Sequence, residues 1–184
     1  MIFILINAII ILAVMFLLII LSMIWPPDSP WAPWWRTKKK VAREICRMAN
    51  INPKDLVYEL GSGDAMFLRV AAKEFGANGV GIEIDPLRIL LSKFFIKKDG
   101  LSDKIKIIRS NFFDVNLSDA TVVFVYLVPK VLEKLKPKFL KELKPGTMIT
   151  SYRYKINLPL LSCDKKNEIY LYKIKKRQSN SNNT

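Results

Sequence analysis

The sequence predicts an α/β domain built on a mostly parallel sheet with an antiparallel closing strand, carried behind one N-terminal transmembrane helix. Three observations predict it. No residue from Ile2 to Ile24 is charged, and only Asn7 and Ser22 are clearly polar. After that run, short and continuously apolar strands alternate with helical stretches, the pattern of a parallel sheet covered on both faces. The first of those strands runs into Gly61-Ser62-Gly63-Asp64 and then a helix, a turn that lets backbone approach a ligand closely.

At about 1.5 Å per residue the first run spans roughly 30 Å of hydrocarbon or more as a helix. A cleaved signal peptide would want a positive charge before the run, an apolar core of roughly 7–15 residues and a small-x-small cleavage site. No Lys or Arg precedes this run, and Ser22-Met23-Ile24-Trp25 is a poor cleavage site. The expectation is a retained anchor over residues 1–25. Arg36, Lys38, Lys39, Lys40 and Arg43 crowd its C-terminal side, which by the positive-inside rule places residues 36 onward in the cytoplasm. All four tryptophans, Trp25, Trp31, Trp34 and Trp35, fall at the helix exit, where an interfacial aromatic belt belongs. Pro26, Pro27, Pro30 and Pro33 make residues 26–36 a stiff linker, because proline fixes φ.

The domain itself is expected over residues 37–176. Val41, Ile45 and Met48 recur at helical spacing within 37–50, with basic residues between them. A strand follows over Leu56–Leu60, then a helix over 65–75 with Phe67, Leu68, Ala71, Ala72 and Phe75 on one face. Gly79–Ile84 is the second strand. Asp85 caps a helix that Pro86 opens and that runs to about Lys98. Ile105–Ile108 and Thr121–Leu127 are the third and fourth strands, and Pro129–Leu143 is a helix closed by Pro145-Gly146. Thr147–Ile156 and Glu168–Lys175 are expected to close the sheet as antiparallel strands. A polar tail occupies 177–184.

Composition removes several kinds of chemistry. The chain has no histidine, which excludes a histidine base, a Ser–His–Asp triad and most zinc-enzyme arrangements. Cys46 and Cys163 lack metal spacing and are expected to be ordinary thiols, so no metal is expected. The net charge is +14, from 30 Lys and Arg against 16 Asp and Glu. An anionic cytoplasmic membrane face accounts for that excess. Nucleic acid is disfavoured, since no usual recognition motif is present.

The glycine turn carries the chemistry. The third glycine of the dinucleotide pattern is absent, with Met66 or Phe67 in its place, which disfavours a pyrophosphate cofactor. Glu59, beside the turn, would repel phosphate and attract an ammonium group. Glu83 ends the second strand about 20 residues on, where an acid binds ribose hydroxyls. A cofactor with a ribose, a positive group and no phosphate satisfies all three, and S-adenosylmethionine is such a molecule.

Glu-Leu-Gly-Ser-Gly-Asp followed by Gly-Ile-Glu-Ile-Asp-Pro resembles the first two motifs of class I methyltransferases, whose sheet is Rossmann-like. The resemblance implies that Glu59, Gly61, Ser62, Gly63 and Asp64 surround the methionine part of the cofactor and that Glu83 holds its ribose. Asn111-Phe112 takes the adenine-contacting position, where Asp is commoner in the family. The Asn111 carbonyl oxygen can accept from the adenine amino group. A transmembrane helix, then Ala-Pro-Trp-Trp with a basic helix, then this first motif, resembles a narrower group. These are the small membrane-associated lysine methyltransferases related to those modifying the ATP synthase c subunit and the adenine nucleotide translocase. Val-Phe-Val-Tyr-Leu-Val-Pro is similar to that group's fourth-strand motif, and Ser-Tyr-Arg-Tyr to its next strand. The chain departs from the pattern at Ala65, where Gly is usual, and lacks the Asn/Asp-Pro-Pro-aromatic signature of amino-methylating relatives.

The function expected from this is methylation of a lysine on a membrane-associated protein, with Tyr126 and Pro129 lining the amine channel. Tyr126 has a second reading as an ordinary core aromatic, and Glu59 and Asp64 as turn or cap carboxylates. Three rival functions stay open: methylation of a lipid or small membrane-soluble molecule, a noncatalytic membrane adapter, and RNA methylation.

Overall fold

Side chains alternate across a β-strand, so a strand buried on both faces needs a hydrophobic layer above and below it. β1 (Leu56–Leu60) and β4 (Val122–Val125) meet that demand: Val57, Val122 and Phe124 enter one core, and Tyr58, Leu60, Val123 and Val125 enter the other. The computed structural model of the chain describes residues 2–24 and 35–175. The first core is closed by α2 (Lys39–Met48), α3 (Met66–Phe75) and α4 (Pro86–Lys98) through Ile45, Phe67, Leu68 and Ile96. The second is closed by α5 (Pro129–Glu142) through Val131, Leu132, Leu135 and Phe139. Phe67 and Phe124 meet in the first core with ring centroids 4.1 Å apart and planes tilted by 36°.

The remaining strands are β2 (Asn78–Glu83), β3 (Ile105–Arg109), β5 (Met148–Tyr152), β6 (Leu160–Asp164) and β7 (Ile169–Lys173). They form one seven-stranded sheet in the order β3-β2-β1-β4-β5-β7-β6. β1 to β5 are mutually parallel, and β7 is antiparallel to both β5 and β6. From β1 the chain winds outward to β2 and β3, then returns to β4 on the other side of β1. That reversal opens a crevice at the C-terminal ends of β1 and β4, where α/β sheets bind ligands.

Two expectations need correction. The segment after α5 pairs parallel with β4, so only the later strands are antiparallel. β6 was not expected at all. It is an edge strand whose Leu160, Leu161 and Ser162 are exposed, so no buried face imprints a pattern on it. The first helix, α1, spans Ile2–Ile24, and its Ile2–Leu21 part has a mean hydropathy of 3.3. It is long and apolar enough to cross a membrane by length and composition. The linker tryptophans and prolines before Trp35, and the polar tail, lie outside the described residues.

β2 carries two glycines for a packing reason. A Cβ on Gly79 would stand 2.9 Å from Leu68 Cδ2 of α3, and one on Gly81 would stand 2.6 Å from Ile107 Cδ1 and 2.7 Å from Ser62 Oγ. Gly81 therefore leaves room for the Gly61–Gly63 turn to lie against the sheet. Gly81→Ala is expected to lower stability by about 1–3 kcal/mol through overpacking, read as a depressed midpoint in thermal unfolding.

Candidate functional site

The turn after β1 is shaped by backbone that side chains resist. Gly61, Gly63 and Ala65 have φ of 75°, 53° and 56°, all in the left-handed region. Gly61 and Gly63 adopt it freely, whereas Ala65 does so with a Cβ in place. The Gly61 and Ser62 amides donate to the Ile82 carbonyl at 2.8 and 3.0 Å, which pins the turn to β2.

Glu83 completes the pinning. Its Oε2 accepts from the Gly63 amide at 2.8 Å, and its Oε1 accepts from the Ile84 and Asp85 amides at 3.0 and 3.1 Å. One buried carboxylate thus joins the loops that follow β1 and β2, and Oε2 keeps a lone pair for a further donor. Asp85 behaves as expected of a cap, accepting from the Leu87 and Arg88 amides at 2.8 and 2.9 Å at the start of α4.

Glu59 and Asp64 stand beside this turn, 5% and 3% exposed. Burial, and then the charges of Asp64 and Glu83, push the Glu59 carboxyl well above the usual carboxylate range, with the Leu68 amide partly opposing them. Glu59 Oε2 and Ser62 Oγ are buried without a hydrogen-bond partner among the described residues. Asp64 Oδ1 accepts from the Met66 amide at 3.3 Å, a turn contact. Its Oδ2 lies 2.6 Å from Arg36 Nε, yet makes no aligned hydrogen bond. This is an ion contact with a lone pair to spare. Orphaned buried oxygens are costly unless something meets them, and a cationic ligand with hydroxyl groups would meet them. The residues present therefore fit S-adenosylmethionine.

The other expected residues gather at the same end of the sheet. The Ser110 amide donates to the Glu83 carbonyl at 3.1 Å, which brings the Asn111-Phe112 loop beside β2. Asn111 Oδ1 already accepts from the Phe113 amide at 3.1 Å, so that oxygen holds its own loop and its amide NH2 is the freer group. Phe112 is half-buried and packs on Phe113 at 4.9 Å between centroids. Across the crevice, a Cβ on Gly61 would meet Leu127 Cδ2 at 3.5 Å, so the β4 loop flanks the glycine turn. Tyr126 precedes that leucine, and Pro129 is the first residue of α5.

Sequence reasoning gave no role to three residues that the structure brings in. Tyr152, at the end of β5, meets Tyr126 edge to face at 4.6 Å between centroids. Arg153, with φ of 66°, holds its guanidinium 5.9 Å from the Tyr152 ring. Burial raises the Tyr126 hydroxyl pKa, and the Arg153 charge opposes the rise. Arg36 was counted only as one of the membrane-flanking cations. Among the described residues no group of three or more His, Cys, Asp or Glu is arranged to hold a metal ion.

The Glu59 shift has a definite sign. A carboxyl with a raised folded-state pKa stabilises the fold below its unfolded value, near 4.3, and that contribution is lost as pH rises through the folded value. In the ligand-free chain, Glu59→Gln is expected to gain thermal stability over the parent progressively as pH rises above about 4.3. Melting curves across pH check this, and a pH-independent difference contradicts it.

Residues 59–159 match the family model described as the ANTKMT methyltransferase domain. The chain is 41% identical over 135 residues to a protein-lysine N-methyltransferase of Saccharolobus islandicus, covering 73% of this chain and 82% of that one. It is 26% identical to the Caenorhabditis elegans lysine N-methyltransferase of the ATP synthase c subunit, with 61% of this chain and 58% of the relative covered. The chain thus spans little more than half the length of the nematode enzyme. Among solved structures, an RNA methyltransferase from Salinibacter ruber in complex with S-adenosyl-L-homocysteine superposes with a TM-score of 0.76 at 31% identity. That match covers 82% of this chain and all of the other. The chain belongs to the ANTKMT methyltransferase-domain family and is an S-adenosylmethionine-dependent methyltransferase.

Proposed function

We propose that this chain methylates the ε-amino group of a lysine on a membrane-associated protein, from a domain held at the cytoplasmic face by α1. The observation that carries the reading is the 41% identity to a protein-lysine N-methyltransferase over 82% of that relative. The long apolar α1 supports the membrane setting, with residues 1–25 as anchor, 26–36 as linker and 37–176 as the catalytic domain.

In this reading Gly61, Ser62 and Gly63 form the floor under the cofactor, and Glu59 faces its ammonium group. Glu83 accepts from a ribose hydroxyl through the lone pair left on Oε2. Asn111 and Phe112 take the adenine edge and face. The cofactor's methionine part is a zwitterion, so a wall of acids cannot hold it alone. Among the described residues Arg36 is the cation paired with this loop, and in this reading it also meets the cofactor carboxylate while still neutralising Asp64. When bound, S-adenosylmethionine supplies an electrophilic methyl group on a positively charged sulfur.

The protein's part is to deliver a neutral amine in line with that methyl. Tyr126, Tyr152 and Pro129 wall the approach, and aromatic faces steady an arriving ammonium. Desolvation beside Arg153 then favours loss of the proton, which removes the need for a histidine base. Tethering confines enzyme and substrate to one surface, raising their effective concentration.

A second acceptor, RNA, draws support from the 31% identity to the Salinibacter RNA methyltransferase and from the +14 net charge. One experiment separates the acceptors. Full-length protein is incubated with methyl-labelled S-adenosylmethionine and with membranes and total RNA from the source cell, which are then fractionated. The account expects label in protein, mapped to lysine by mass spectrometry, and reduced at least about 100-fold by Gly61→Arg, which obstructs positioning. Label in lipid or RNA, or none, overturns it.

A further inference from the structure

The outward face of α4 is unusual for a surface helix. Its inner face buries Arg88, Ile89, Ser92 and Ile96. The opposite face exposes Leu87 (45%), Leu90 (67%) and Phe94 (60%), with half-buried Leu91 among them. Positions 87, 90, 91 and 94 follow the i, i+3, i+4, i+7 spacing of a single helical stripe. Exposed Lys93, Lys97 and Lys98 border the stripe, and the helix contains no acidic residue. The acids at its two ends are engaged: Asp85 caps the helix, and Asp99 is held by Arg69 at 2.6 Å and Lys73 at 3.2 Å.

We infer that α4 is a membrane-docking face, its apolar stripe seated among the headgroups of an anionic leaflet and its lysines on their phosphates. The inference rests on the reading of α1 as a membrane anchor. An apolar stripe fringed by lysine is the signature of a helix lying in the interface plane, bound by apolar burial and electrostatic attraction together. A second copy of the chain meeting the stripe through its own α4 brings further cations and no acid to pair with Lys93, Lys97 and Lys98, because that helix contains no acidic residue. α4 starts shortly after Glu83, the residue that ends β2. Docking along it therefore holds the mouth of the crevice at a set height over the bilayer, where a juxtamembrane lysine is presented.

The test places an environment-sensitive fluorophore at single cysteines in the full-length chain, in a Cys163→Ser background with Cys46 buried. Positions are Leu90→Cys and Phe94→Cys on the stripe, Lys141→Cys on α5 across the sheet, and Met15→Cys in α1. Each protein is reconstituted into phosphatidylcholine vesicles with or without phosphatidylglycerol, and quenching by bromine-labelled lipid tails is read. In the anionic vesicles both stripe positions are expected to quench at least about twofold more than Lys141→Cys, with the difference shrinking as salt is raised. Quenching at Met15→Cys without quenching on the stripe overturns the docking face and leaves the anchor standing. No quenching at Met15→Cys overturns the anchor, and the docking face with it. Equal quenching at Lys141→Cys and the stripe shows an unoriented domain and also overturns the inference.

Discussion

Three buried carboxylates at one end of a parallel sheet set the terms for the rest of this molecule. Glu59, Asp64 and Glu83 are each at most 5% exposed and surround a turn in which the left-handed Gly61, Gly63 and Ala65 alternate with Ser62 and Asp64. Burying such charge is expensive unless it is paired or hydrogen-bonded. Each acid meets the cost differently. Glu83 engages backbone amides from both loops, and by doing so builds the turn. Asp64 takes Arg36 from the segment entering the domain. Glu59 is left over, and its carboxyl is driven toward the neutral form until a cation arrives. A ligand that is cationic, rich in hydroxyl groups and free of phosphate relieves all three.

That arrangement also ties the segment before α2 to the turn after β1. Arg36 lies between α1 and α2, and its guanidinium reaches Asp64 in the turn after β1. The α2 helix that follows is fastened to α3 by Arg43, which grips Glu74 through both carboxylate oxygens at 2.6 and 2.9 Å. On the same face of the sheet, α3 is fastened to α4 through Arg69, which pairs with Asp99 and lies 4.7 Å from the Phe95 ring. The elements nearest α1 in sequence thus share one side of the sheet with the stripe on α4.

Most of the fold was legible because local pattern and global pairing agree. The bounds of α4 and β1 follow from Pro86, Asp85 and the short strand pattern Leu56–Leu60, apolar but for Glu59, and the structure keeps them unchanged. The glycine turn and its two flanking acids were legible because left-handed backbone and buried charge leave few residue choices. Strand direction was not, since Met148–Tyr152 has the same composition whether it runs parallel or antiparallel to β4. β6 left no pattern because its outer face is wet. Arg36 looked like one more basic residue beside a membrane helix, and only three-dimensional proximity to Asp64 separates it from Lys38, Lys39 and Lys40. Tyr152 lay in a recognised stretch, but its meeting with Tyr126 depends on β4 and β5 being neighbours.

Charge matching between this site and a zwitterion is tested most directly by removing the charges from either side in turn. Calorimetric affinities of the full-length parent and of Arg36→Ala would be measured for S-adenosylmethionine and for its decarboxylated analogue, which lacks only the carboxylate. The account predicts that Arg36→Ala weakens S-adenosylmethionine by about tenfold or more, the scale of one charged hydrogen bond. Binding of the decarboxylated analogue should be unchanged or tighter, because Asp64 is then free to meet its positive charge. Equal loss for both ligands would make Arg36 a structural strut, and no loss for either would remove charge matching as the basis of the site.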